Sequence, residues 1–398
     1  MLKNFAVVFF VVIFIAVIVC LIRGLGTKKN GGGNDNLKVT DRETDELCKT
    51  LTAEELYERA CKLVGKYNIP TDFYRWKNFM RTAAEKDYTP AVREWGIHQK
   101  NKDNALAVQL LTRAADKGDG KALEELYKLY YYGSHSGAPE IKKDGEKAVS
   151  IIKPYAENGN AVAQRILGNY YYYEKNSNKK ALEWYLKAAD GGDAEAMVEA
   201  ADIYAFKDDV ESEKKMLLKA AELNYADAEI NLAICYQSYE RDDETYDYEQ
   251  AMYWYKRAYE HGSANAASHV GEMYLNGEGV TKDEKQAFDW FKKAHEKGSV
   301  YGTYLCGKCY MEGTGVAQDK KKGIKLYTRV ERFESRAQYA LGLCYLEGDG
   351  VKKNLKTAVD YLKKAARKEA TYDNVASKDA EYKLFELYRS GVINEDDL

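Results

Sequence analysis

From Ser263 to Gly298 small and apolar residues recur at helical spacing twice, with a break between the two runs. Ala264, Ala267, Gly271 and Tyr274 fall three or four residues apart, which predicts one face of a helix. Gly277-Glu278-Gly279-Val280 interrupts the pattern. Ala287, Trp290, Phe291 and Ala294 then predict a second, aromatic-rich helix that stops at Gly298. The same turn returns as Gly313-Thr314-Gly315-Val316 and Gly348-Asp349-Gly350-Val351, 36 and 35 residues apart. A fixed period in this range predicts a solenoid of helix-turn-helix repeats.

The glycines have a structural reading. Gly271, Gly307 and Gly342 stand inside predicted helices, where Gly costs about 1 kcal/mol relative to Ala. A cost that recurs at one register implies close approach of the paired helix, with Ala287, Gly323 and Ala358 as the facing small residues. Gly277, Gly279, Gly313, Gly315, Gly348 and Gly350 are expected to be turn residues whose positive φ lets the loop pass under the next unit. Gly118, Gly159, Gly192, Gly262 and Gly298 each follow an apolar helix and read as left-handed caps. None of them predicts a phosphate-cradling loop.

Ahead of the repeats, Phe5 to Ile22 is an unbroken apolar run of 18 residues. As a helix it spans about 27 Å, enough for a bilayer core, so residues 1–23 are expected to be an uncleaved transmembrane anchor. Arg23, Lys28 and Lys29 follow the run and only Lys3 precedes it. The positive-inside rule then places the soluble part in the cytoplasm, with an outward-facing, periplasmic or extracytoplasmic domain as the alternative. Residues 24–45, with Gly31-Gly32-Gly33-Asn34-Asp35-Asn36, are expected to be a flexible linker. Residues 46–90 are expected to supply capping helices, one started by a Thr52/Glu55 capping box, and a half repeat: a lone second-type helix with Trp76, Phe79, Ala83 and Ala84. Repeats are expected over 91–370, about eight helix pairs in all. The early ones are degenerate, and one carries a long loop, Gly133-Ser134-His135-Ser136-Gly137-Ala138-Pro139, expected to be solvated. Residues 371–398 are expected to give a helix that closes the C-terminal end, then an acidic tail.

Ala337-Gln338-Tyr339-Ala340-Leu341-Gly342-Leu343-Cys344-Tyr345 and Lys180-Ala181-Leu182-Glu183-Trp184-Tyr185-Leu186-Lys187-Ala188-Ala189-Asp190-Gly191-Gly192 match the two halves of a known repeat signature. With three complete consecutive units, the chain resembles the Sel-one-like repeat (SLR) family, a branch of the tetratricopeptide-like solenoids. The resemblance implies an all-α, right-handed α-solenoid of repeats about 35–36 residues long, joined here to one N-terminal transmembrane helix. It implies a non-enzymatic adaptor that binds partner proteins along a concave face lined by the first helix of each pair. Some relatives neutralise toxins as immunity proteins or regulate envelope enzymes, which gives an outward-facing alternative. A few are linked to β-lactam binding, and some secreted relatives carry a disulfide in each repeat; the paired cysteines of those relatives are missing here.

Composition narrows the function classes. A net charge of −3 over 398 residues excludes a basic nucleic-acid-binding surface as the default. Cys235, Cys309 and Cys344 share one register and read as small core residues, while Cys306 and Cys309 lie within one helix. His98, His135, His261, His269 and His295 show no metal-ligand spacing. Gly133-Ser134-His135-Ser136-Gly137 places His where a nucleophile elbow needs Ser. Carboxylates alternate with lysines and predict surface pairs worth a few tenths of a kcal/mol each. No catalytic residue, cofactor, metal or small-molecule substrate is expected.

Tyrosine is in excess, 34 against 11 Phe. One per repeat belongs to packing: Tyr130, Tyr170, Tyr204, Tyr236, Tyr274, Tyr310 and Tyr345. Tyr130 to Tyr132 and Tyr170 to Tyr173 run consecutively, however, and a helix points neighbours in different directions. Tyr131, Tyr132, Tyr171, Tyr172 and Tyr173 are therefore the candidate partner-binding residues, with the covering of loops in imperfect repeats as the alternative. The partners expected are other proteins, and the membrane through the N-terminal helix, with no nucleic acid.

Overall fold

A computed structural model describes residues 34–64, 70–237, 246–366 and 374–395. These residues form twenty helices and no strand, the all-α solenoid expected. The expected transmembrane anchor lies outside the described residues, among which no helix is long and apolar enough to cross a membrane. The chain divides into two compact units, Met1–Gly191 and Gly192–Leu398.

The first unit holds α1 (Asn34–Thr50), α2 (Ala53–Leu63), α3 (Pro70–Glu85), α4 (Thr89–Gln99), α5 (Asn104–Asp116), α6 (Gly120–Tyr132), α7 (Gly145–Glu157), α8 (Ala161–Tyr173) and α9 (Asn178–Asp190). The expected linker over 24–45 gives way to helix α1 at Asn34. Its C-terminal half has an apolar side: Thr44 is buried, and Leu47 and Cys48 pack on a core that includes Leu56, Trp76, Phe79 and Met80. The capping box forms, with Glu55 N–H donating to Thr52 Oγ1 at 3.2 Å and Thr52 N–H donating to the Glu55 carboxylate at 2.8 Å. The helix it starts, α2, packs on α3 as the first helix of a pair. The second-type helix read as a lone one thus has a mate, and the pairs among the described residues number nine. Leu56, Tyr57 and Ala60 do the packing in α2, which has Ala60 and Leu63 where the later repeats place the Gly and Tyr landmarks.

The α6–α7 loop is exposed over residues 135–140, as expected, and it is also tied down as a strap. Asn104, fully buried at the start of α5, donates its amide to Ser136 O and Pro139 O, both at 2.9 Å. Its backbone N–H donates to Ala138 O at 3.1 Å, and His135 N–H donates to Asn101 Oδ1 at 2.8 Å. Several of the loop's backbone polar groups are thus answered by the preceding pair.

The second unit holds α10 (Ala194–Phe206), α11 (Val210–Glu222), α12 (Ala226–Gln237), α13 (Tyr248–Glu260), α14 (Ala264–Asn276), α15 (Glu284–Glu296), α16 (Val300–Glu312), α17 (Lys320–Val330), α18 (Ser335–Glu347), α19 (Leu355–Ala366) and α20 (Asn374–Arg389). Asp, Asn or Ser caps most repeat helices in both units; Asp283 Oδ1, for example, accepts from Gln286 N–H at 3.0 Å. At the other end Gly298 takes φ +88°, and Ser299 N–H closes the helix by donating to Ala294 O at 2.9 Å.

The mid-helix glycines make room for a large side chain as well as for small ones. A Cβ on Gly271 would lie 2.5 Å from the Phe291 ring and 3.1 Å from Ala287 O, and one on Gly307 would lie 2.9 Å from the Tyr327 ring. The second glycine of each Gly-x-Gly turn touches the preceding unit, where contact with the next one was expected. A Cβ on Gly279 would meet Tyr248 at 2.7 Å, on Gly315 it would meet Glu284 O at 2.0 Å, and on Gly350 it would meet Lys320 Cβ at 3.0 Å. Each turn therefore seats on the first turn of the earlier repeat's second helix.

Helix α20 buries Ala376, Ala380, Leu384 and Leu387. It packs on Val359, Leu362 and Ala365 of α19, and Tyr382, Phe385 and Tyr388 stay exposed on its far side. Phe385 stands at the register that Gly342 holds in α18.

Candidate functional site

Helices α6 and α8 end in the tyrosine runs. Apolar residues at helical spacing, Leu123, Leu126 and Leu129 in α6 and Leu167 and Tyr170 in α8, fix one face of each helix in the core. The remaining tyrosines are thereby turned toward the helix ends and the loops that follow. Tyr131 stacks on Tyr127 with ring centroids 5.3 Å apart and donates its hydroxyl to the Glu174 carboxylate at the end of α8. Burial, then Glu174, pushes its pKa up to about 12. Tyr132 meets Tyr131 edge-on at 4.8 Å and is 57% exposed.

In α8, Tyr170 is the buried member, and its hydroxyl donates to Glu146 Oε1 at 2.7 Å. Lys175 Nζ donates to the same oxygen at 2.7 Å. Counted from Gly168 as Tyr274 is from Gly271, the signature tyrosine is Tyr171 and not Tyr170. Lys180 lies over the Tyr171 ring at 5.3 Å, as Lys147 lies over Tyr130 at 4.9 Å. Tyr172 is half-buried and meets Tyr173 edge-on at 4.9 Å, and Tyr173 is 52% exposed.

The five candidate tyrosines therefore separate. Tyr131 ties α6 to the end of α8, Tyr171 sits under a lysine, Tyr172 is half-buried, and Tyr132 and Tyr173 face solvent. Both exposed residues stand two positions after the signature tyrosine of their repeat. In the second unit Phe206 holds that register, two after Tyr204, and is 80% exposed. A search for runs of tyrosine passes over Phe206; the repeat register marks it.

Other chemistry is muted. Burial pushes the thiols of Cys306 and Cys344 up to about 11 and those of Cys235 and Cys309 up to about 12, away from thiolate reactivity. His98 lies against Trp95 and Trp76 at 5.0 and 4.8 Å, and burial holds its pKa down at about 4. Among the described residues no group of His, Cys, Asp and Glu is placed to hold a metal ion. Glu229 departs furthest from the expected surface pairing. Fully buried in α12, it accepts from Arg257 Nε and meets His261 Nδ1, each at 2.8 Å.

The chain's resemblances follow this architecture. The Sel1 repeat model matches residues 93–119, 128–160, 161–193, 226–263, 264–299, 300–329 and 335–369, more than half of the chain. The α10–α11 pair, which has no Gly-x-Gly turn, falls between two matches. A Sel1 repeat protein from Oxalobacter formigenes superposes with a TM-score of 0.53 at 27% identity, over 62% of this chain and 98% of that one. A protective antigen of uropathogenic Escherichia coli with an SLR fold is 24% identical over 90% of this chain and 83% of its own, with a TM-score of 0.45. An immunity protein of Pseudomonas aeruginosa is 19% identical over 53% of this chain and 82% of its own, with a TM-score of 0.39. No curated protein matches the chain. On seven matched repeats and the paired-helix fold, the chain belongs to the Sel1 repeat family, whose members are protein-interaction scaffolds.

Proposed function

We propose that this chain is a membrane-tethered scaffold that holds a partner protein against the Tyr132 and Tyr173 end of its first unit. One observation carries the reading: two successive repeats leave a tyrosine exposed at one register, while their neighbours in sequence are spent on packing. Tyrosine offers a large, stiff contact at low entropic cost and is enriched among interface hot spots. Tyr132→Ala with Tyr173→Ala is the informative pair, because Tyr131→Ala would also break the link to Glu174. The double variant is expected to weaken partner capture at least ~10-fold with an unchanged melting temperature. Normal capture removes this surface from the reading, and an early melt reassigns both rings to packing.

The tether is the apolar run Phe5 to Ile22, and the lysine and arginine count supports a cytoplasmic scaffold. A single cysteine at Asn34→Cys, in a background without native thiols, tests the orientation. Labelling by an impermeant reagent only after lysis is the expected result. Labelling in intact cells moves the scaffold outside, where the immunity-type alternative takes over.

A further inference from the structure

Helix α20 turns one ridge to solvent, Glu381–Phe385–Arg389, with the exposed rings of Tyr382 and Tyr388 on either side of it. Residues four apart line up on a helix surface and form such a ridge. Three rings on one exposed face make an apolar patch of the kind that marks an interaction site. The cover used by every other first helix does not fit here. In the preceding pair, Gly342 lets α19 approach so closely that a Cβ there would lie 2.9 Å from Leu362. Phe385 holds that register in α20, and its ring fills the space a second-type helix would need.

The charges on the ridge are self-complementary. Glu381 stands four residues before Phe385 and Arg389 four after it. Both are exposed, and neither forms an ion pair with a described residue. The Arg389 guanidinium lies 5.8 Å from the Phe385 ring, so charge and ring are already aligned along the ridge. Of the other charges on this side, Glu386 takes Lys383 at 3.0 Å. Lys378 and Asp379 lie about 10 Å along the axis from Phe385, beyond the point where crossing helices part. Two helices that pack through their i±4 ridges lay those ridges side by side. Set antiparallel on its own copy, this ridge brings Phe385 against Phe385 and each Glu381 beside Arg389 of the second copy. Set parallel, it brings Glu381 against Glu381. The antiparallel pairing is the isologous contact of a two-fold dimer, in which i meets j and j meets i.

We propose that a second copy of this chain covers the exposed face of α20, through an antiparallel α20–α20 contact centred on Phe385. The inference is independent of the docking reading above and uses no residue of that surface. One helix face per copy falls short of the ~1,600 Å² of a standard interface. The dimer is therefore expected to be reversible, with a Kd of about 10–100 µM.

The test is sedimentation velocity of the full chain in detergent from ~1 to ~300 µM. The chain is expected to pass from monomer to dimer in that range and to stop there. Phe385→Asp, at an exposed position, is expected to abolish the dimer with the melting temperature unchanged; if it melts early, Tyr382→Asp reads the same face. Glu381→Arg and Arg389→Glu are each expected to weaken self-association about 10-fold, because like charges then meet on both sides of the two-fold axis. An equimolar mixture of these two variants is expected to regain the original affinity, since each offers the charge the other lacks. A chain that stays monomeric throughout overturns the inference. So does a dimer that survives Phe385→Asp, which places self-association elsewhere, or a mixture no tighter than the single variants. Growth beyond the dimer with rising concentration overturns it too, because a contact between two different faces does not close.

Discussion

Gly315→Ala is expected to cost the second unit about 3–4 kcal/mol, while Gly313→Ala, two residues away in the same turn, costs about 1 kcal/mol. Both glycines hold positive φ, +83° at Gly313 and +68° at Gly315, so both variants carry the same kind of backbone penalty. They differ in what a Cβ would meet. At Gly313 the nearest atom is Gln318 Cβ at 3.4 Å, an ordinary contact with a movable side chain. At Gly315 it is Glu284 O at 2.0 Å, with Glu284 C at 2.5 Å, and that backbone is the first turn of α15. A helix terminus cannot yield by more than an ångström without parting the two repeats, so the turn must lift off. Urea unfolding of both variants gives the comparison. Hydrogen exchange places the damage: protection is expected to fall first in α15 and α16, because a repeat array loses stability at the interface that is broken. Equal costs at the two positions would mean that the turn is no inter-repeat contact.

The same comparison shows what could be read from the residues alone. The period, the helix pairs and the left-handed caps were legible because each leaves a local mark: a small residue inside a helix, an Asp or Ser ahead of one, a Gly behind it. Which neighbour the Gly-x-Gly turn touches was not legible, since a period is the same read forward or backward. The α2–α3 pair hid for the opposite reason: Leu56, Tyr57 and Ala60 pack it without a Gly or Tyr at the landmark positions. In the tyrosine runs, the expectation that some rings must be exposed followed from helical geometry. The assignment of Tyr131 to Glu174 and of Tyr171 to Lys180 depends on residues 43 and 9 positions away. No local pattern carries those contacts. Asn104 was invisible likewise, since its partners lie 32 and 35 residues further on.

Arg257→Met is expected to destabilise the second unit by about 3–5 kcal/mol, and Glu229→Gln by only about 1–2 kcal/mol. Carboxylates in this chain read as exposed helix-surface partners, and Glu229 departs from that with no solvent exposure at all. It sits in the first turn of α12 and is held by Arg257 Nε at 2.8 Å and His261 Nδ1 at 2.8 Å, both from the end of α13. Arg257 also donates through Nη2 to Ala221 O and Asn224 Oδ1, each at 3.1 Å, and lies 5.2 Å from the Trp254 ring. One guanidinium thus joins a helix pair to the end of the pair before it. The asymmetry follows from what each substitution leaves behind. Without Arg257, a fully buried carboxylate keeps only the histidine, and the two acceptors on the preceding repeat lose their donor. With Gln at 229, the guanidinium is still partly open to water and keeps Ala221 O and Asn224. The double variant is expected to cost less than the sum of the singles, with a coupling of about 2 kcal/mol, since removing both charges removes the need to pair them. Equal single costs, or strict additivity, would show that α13 is held to its neighbours by apolar packing alone and that the ion pair is incidental.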